Sequence, residues 1–103
     1  MIYRVEISPR AVAEADAAYE AIAEWSVHAA VSWLEALTVT AASLDRMPRR
    51  HGYAREHGRV SHELRQFPQA PYRVLFTITG NTVRILHVRH QAMDDILARE
   101  LGR

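Results

Sequence analysis

The chain has 103 residues, 49% of them hydrophobic, and no cysteine; it can fill one core, is too short for two, and offers no disulfide framework, thiolate metal site or thiol nucleophile. Its formal charge of +1 conceals two halves of opposite sign: up to Asp45 seven acids face two arginines, and from Arg46 onward eleven arginines face five acids. No stretch nears the roughly 18 uninterrupted apolar residues of a membrane span, and the alternating start Ile2-Tyr3-Arg4-Val5-Glu6-Ile7 lacks the basic-then-apolar layout of a signal peptide, so a cytoplasmic location is expected.

That opening alternation predicts a first strand over Ile2–Ile7, with Tyr3, Val5 and Ile7 on one face and Arg4 and Glu6 on the other. Ser8-Pro9 ends it and starts a helix, because the serine hydroxyl can accept an open helix N–H and proline at the first helical position gives up no bond. The core stripe of this helix is Ala11, Ala15, Ala18, Ile22 and Trp25, widened by Val12 and Tyr19; Glu14, Asp16, Glu20 and Glu24 are expected on a solvated face. Ser26 is the next cap, and Ala30, Trp33, Leu34, Leu37, Ala41 and Leu44 mark a second amphipathic helix that stops before Pro48, giving an antiparallel helical hairpin. Pro48–Arg59, polar, basic and punctuated by glycine, is expected to be a mobile connecting loop.

Three strands follow, over Val60–Phe67, Tyr72–Thr79 and Thr82–His90. Gly80-Asn81 is a two-residue loop suited to a II′ hairpin turn, and Val83–Val88, apolar on both faces, suits a central strand. Arg73 falls on a strand face that is otherwise mixed, as a buried arginine. Beyond them Met93, Ile96, Leu97 and Leu101 predict a short terminal helix within Gln91–Gly102.

The chemistry-bearing residues cluster late in the chain. Arg65, Arg73, Arg84 and Arg89 lie on neighbouring strands, and those that share a face would form a patch for phosphates or carboxylates, unless they pair with Glu63 or helix acids. His87 and His90 are three apart, which on one strand sends them to opposite faces and argues against a shared metal ion. Each has two open roles, proton transfer beside Arg73 or Arg89, or a structural hydrogen bond. His28, His51, His57 and His62 read as surface or loop residues, and Trp25, Trp33 and Tyr19 as core.

The order strand, helix, helix, three strands, short helix, together with Tyr3-Arg4-Val5, Ser8-Pro9, Glu63-Leu64-Arg65, Pro71-Tyr72-Arg73-Val74-Leu75-Phe76 and Val83-Arg84-Ile85-Leu86-His87-Val88-Arg89-His90, resembles the RelE/ParE family of bacterial type II toxin-antitoxin toxins. The resemblance spans nearly the whole chain and implies an α+β fold in one domain, an antiparallel sheet on a helical hairpin. It also implies a concave basic face that a cognate antitoxin covers in a hetero-oligomer, with apolar anchors and acidic residues meeting a groove rimmed by arginines. Family members divide into ribosome-dependent ribonucleases that cut messenger RNA and ParE-type poisons of DNA gyrase.

Ribonuclease members need cations and an acid–base pair at the scissile phosphate. Arg73 matches the family arginine, but Ser61 and Glu63 stand where those ribonucleases carry lysines, and Ala92 and Ala98 where a gap-free alignment places an arginine and a tyrosine. These departures point to the ParE type, with Arg65, Arg73, Arg84, Arg89 and His90 as binding residues and no cofactor or metal. If the chain is an enzyme, Arg73, Arg65, Arg89, His87 and His90 are its catalytic candidates. His90-Gln91-Ala92-Met93 also departs from the common ParE ending, in which Gly-Ala-Arg follows the histidine, and this keeps open a non-toxic antitoxin-binding relative.

Overall fold

The computed structural model describes residues 2–93. Most of the predicted terminal helix, with Ile96, Leu97, Ala98 and Leu101, therefore lies outside the described residues. The elements are β1 (Arg4–Ile7), α1 (Pro9–Ala23), α2 (Val27–Ser43), β2 (Glu63–Gln69), β3 (Tyr72–Thr79) and β4 (Thr82–His90), with one 3-10 turn at Pro48–Arg50.

Both predicted caps form. The Ser8 hydroxyl accepts the Ala11 N–H at 3.0 Å and donates to the Leu86 carbonyl at 3.1 Å, so one buried serine starts α1 and fastens it to β4. Ser26 accepts the Ala29 N–H at 3.0 Å. Replacing Ser8 by alanine removes the cap and leaves the Leu86 carbonyl without its hydroxyl partner; the expected loss is about 1–2 kcal/mol of unfolding free energy, read by urea titration. The helical stripes depart from expectation at two places. Trp25 is 75% exposed because α1 ends at Ala23 and Glu24 caps it, so helical periodicity no longer governs the next residue. Leu34 is largely exposed because α2 turns Ala30, Trp33, Leu37 and Ala41 inward.

The sheet order is β1-β4-β3-β2. β2, β3 and β4 form the antiparallel meander, but β1 runs parallel to β4, with Val5 opposite Val83, so the sheet is mixed where wholly antiparallel pairing was expected. The connection from β1 passes through the helical hairpin before the chain returns, and such a crossover permits parallel pairing. β4 is central, as its two apolar faces predict. Gly80 has φ 58 and Asn81 no positive φ, the combination of a II′ turn. A bulge sets Leu75 opposite His87 and Phe76 opposite Ile85, leaving Leu86 without a direct partner on β3.

One sheet face packs on the helices through Phe67, Val74, Phe76, Ile78, Val83, Ile85 and Val88. Trp33 joins this core and meets its polar need by donating Nε1–H to the Gln69 carbonyl at 3.0 Å. The other face holds a second, smaller core of Leu64, Leu75 and Leu86, covered by Ala54 and Val60.

Candidate functional site

That second core forms because the connecting segment does not stand off in solvent. Gln66 N–H donates to the Gly52 carbonyl and Ala54 N–H to the Leu64 carbonyl, both at 3.0 Å, so residues 52–54 close the outer edge of β2. The chain then crosses the sheet and delivers Glu56, fully buried, to Arg73, which is 3% exposed. The pair is bidentate, Nη1 to Oε1 at 3.0 Å and Nη2 to Oε2 at 2.5 Å, and Gln66 Oε1 accepts a further Arg73 N–H at 2.9 Å. Arg73 faces Arg89 directly across the β3–β4 ladder. Two like charges placed opposite each other repel, and the buried carboxylate offsets that cost.

The four strand arginines do not share one face. Arg73, Arg84 and Arg89 project from the face that carries the smaller core, whereas Arg65 pairs opposite Phe76 and lies on the helix side. Arg84 meets Glu6 at 3.4 Å. Arg65 is held by Glu63 at 2.6 Å and by the His51 carbonyl at 2.7 Å, with its guanidinium 4.2 Å from the centre of the Tyr53 ring. His87 is buried, with Nδ1 3.3 Å from both Glu14 oxygens, and Glu14 also accepts the Val88 N–H at 2.9 Å. Glu14 therefore pins α1 to β4 at the bulge instead of facing solvent. His90 sits edge-on to Tyr72 with ring centres 5.2 Å apart. Among the described residues no group of three or more histidine, aspartate or glutamate side chains converges as a metal site.

Two expected loop residues also acquire structural roles. His57 Nδ1 accepts the Leu64 N–H at 3.1 Å, which places the ring proton of the neutral form on Nε2. His51 packs 5.4 Å from Phe67 and 6.0 Å from Phe76, and burial, then the nearby Arg50 charge, pushes its imidazole below the ordinary histidine range. The Arg49 hydrogen bond, then that of Arg65, holds the Glu63 carboxyl below the ordinary carboxylate range despite partial burial. A depressed folded-state pKa stabilises fully above the unfolded value of about 4.3 and is lost as pH falls through the lower folded value. Glu63→Gln should therefore flatten the acid limb of the stability profile below about pH 4.3 and leave its neutral shape unchanged, as urea midpoints across pH will report.

An apolar concavity lies elsewhere. Val5 and Ile7 of β1, Val12 and Ala15 of α1, and Leu34 and Thr38 of α2 line a groove of about 390 Å³ whose only charged lining residue is Asp16. The strand arginines that the resemblance places at the binding groove do not line this one; Arg89 and His90, with Tyr72 and Met93, line a separate concavity beside α1. Beside it, Arg4 and Ser8 donate their N–H groups towards β4, so by alternation those of Val5 and Ile7 point out from an edge that no described strand covers.

Sequence periodicity missed Glu56, Glu14 and the groove. Glu56 carried one available signal, being the single carboxylate in the strongly basic stretch 46–62.

No curated protein matches the chain significantly. Among solved structures it is similar to a chain of the chromosomal ParDE toxin-antitoxin system from P. aeruginosa, with 17% identity, a TM-score of 0.69, and coverage of 86% of this chain and 96% of that one, a likeness of fold. The family model for the ParE toxin of the type II toxin-antitoxin system parDE matches residues 5–95, nearly all of the strand, hairpin and meander described above, and the chain accordingly belongs to the ParE toxin family.

Proposed function

We propose that this ParE-family toxin acts without catalysis of its own, by poisoning DNA gyrase, and that a cognate antitoxin silences it by occupying the apolar groove beside β1. The observation that carries the non-enzymatic part is the fate of Arg73. A ribonuclease of this fold needs that guanidinium at the scissile phosphate, but here it is buried and both its Nη atoms are bonded to Glu56. A phosphate would have to displace a buried carboxylate and the segment that carries it. Arg65 is likewise committed to Glu63, and His87 to Glu14.

The antitoxin part rests on the groove and the open β1 edge together. An extended segment can add its backbone to the Val5 and Ile7 N–H groups while apolar side chains enter between α1 and α2. With one acid in the lining, the inserted residues are apolar, and the acidic anchors implied by the sequence have no arginine to meet there.

The test is a pair of reactions with purified protein. With gyrase, ATP and supercoiled plasmid, the protein should cause linear DNA to accumulate after detergent and protease treatment. With ribosomes and messenger RNA it should produce no new cleavage. RNA cuts without gyrase-dependent linear DNA would reverse the assignment to a ribonuclease.

A further inference from the structure

We propose that residues 51–62 form an acid-released clip: neutral histidines hold this segment around the outer edge of β2, and protonating them frees it while the rest of the fold stays closed. This stands apart from gyrase poisoning and does not depend on it. The segment grips the edge from both sides. His51 packs on Phe67 and Phe76 on the helix side, residues 52–54 bond the edge itself, and Ala54 and Val60 cover Leu64, Leu75 and Leu86 on the opposite face. Leu64 is bonded twice, its carbonyl accepting the Ala54 N–H at 3.0 Å and its N–H donating to His57 Nδ1 at 3.1 Å. No residue of the segment belongs to the main hydrophobic core, so it can leave without dismantling that core.

Both histidine contacts require the neutral ring. An imidazolium carries a proton on each nitrogen, so a charged His57 would turn its Nδ1–H against the Leu64 N–H, two donors with no acceptor between them. Its ring stacks on Tyr53 with centres 4.0 Å apart, and the Arg65 guanidinium already lies 4.2 Å from the centre of that tyrosine ring, so a second cation there meets a like charge. His51 Nε2 is buried without a hydrogen-bond partner; a charged ring would sit against two phenylalanines and beside Arg50 with a donor left unsatisfied. His62 Nε2, at the end of the segment, is buried and unpartnered in the same way. The carboxylates that approach the segment are engaged, Glu56 with Arg73 and Glu63 with Arg49 and Arg65, and its other charged residues are arginines, which add like charge and no acceptor. A closed segment that excludes protons is favoured above the ordinary histidine value of about 6.5 and loses ground as pH falls through it. Opening uncovers the smaller core, the outer N–H and C=O groups of β2, and the Arg73 guanidinium that Glu56 covers.

The experiment is limited proteolysis of the whole protein by trypsin at about pH 7.5 and about pH 5.5, with cleavage after Arg59 normalised at each pH to a free peptide of the same sequence. Each histidine that must be neutral in the closed segment raises the open fraction by at most about tenfold over that interval, and the wild-type rate should rise at least about fivefold. Cleavage after Arg84, which lies within β4 and is reached only by global unfolding, should not follow it. His57→Asn keeps an acceptor without a titrating ring and should clearly reduce the rise; adding His51→Phe should remove most of it. His28→Asn, on the exposed side of α2, should change nothing. A wild-type rate that is flat across the interval, cleavage after Arg84 in step with Arg59, or an undiminished rise in the double variant overturns the proposal. The first two readouts need no variant, so they decide even if the double variant fails to fold, which circular dichroism would reveal.

Discussion

Replacing Glu56 by alanine is expected to destabilise the protein by about 3–5 kcal/mol, the cost of leaving one partner of a buried ion pair uncompensated. Arg73 is 3% exposed and Glu56 fully buried, so solvent screening offers no relief. The loss should include the second core as well, because Glu56 holds the segment that lays Ala54 and Val60 over Leu64, Leu75 and Leu86. Arg73→Met together with Glu56→Leu removes both charges, and should recover most of the loss because no buried charge is left behind. Urea unfolding of the wild type, Glu56→Leu, Arg73→Met and the double completes a cycle. A Glu56→Ala variant within about 1 kcal/mol of wild type, the range of a surface pair, would mean that the pair does not organise this face.

The second large effect concerns the antitoxin. Val12 and Leu34 line the groove and are exposed at 48% and 40%, so an aspartate at either place has little folded-state packing to disrupt. In the complex the same aspartate would be desolvated against an apolar segment, with Asp16 already in the lining. Val12→Asp or Leu34→Asp should weaken antitoxin binding by at least about 2 kcal/mol, roughly thirtyfold in Kd, by calorimetry. The unfolding midpoint of the toxin alone should stay close to wild type. Unchanged affinity in both variants would place the antitoxin elsewhere.

The parts of the fold legible in advance are those set by local chemistry. Ser8-Pro9 and Ser26 announced their helices through caps that need only neighbouring N–H groups, and Gly80-Asn81 announced its turn through one positive φ. The family match was visible through the order of the strands and the position of Arg73. What remained hidden depends on residues far apart in sequence. Arg73 and Glu56 are separated by 17 positions, and the polar, glycine-punctuated stretch around Glu56 carries no periodicity to show that it packs on a sheet. The Glu14–His87 contact spans 73 positions and depends on the bulge at Leu86. Parallel pairing of β1 with β4 leaves no mark on β1, which alternates as an antiparallel edge strand would, and the two apolar faces of β4 mark a central position without a direction. Trp25 misled because the helical stripe was carried two residues past a helix that ends at Ala23.

This accounts for the divided fate of the strand arginines. Their strand positions promised a patch only for those that share a face; side chains alternate across a sheet, and the register puts Arg65 and Arg73 on opposite faces. The segment before β2 exposes five further arginines.

The most direct test is tightly controlled induction of the protein in a bacterium, with and without the antitoxin, followed by growth and by the state of the chromosome and of messenger RNA. Growth arrest with gyrase-dependent chromosome breaks, intact messenger RNA and rescue by the antitoxin is the predicted result. Arrest with cleaved messenger RNA and an unbroken chromosome would contradict it, and would require Arg73 to leave Glu56 for a phosphate.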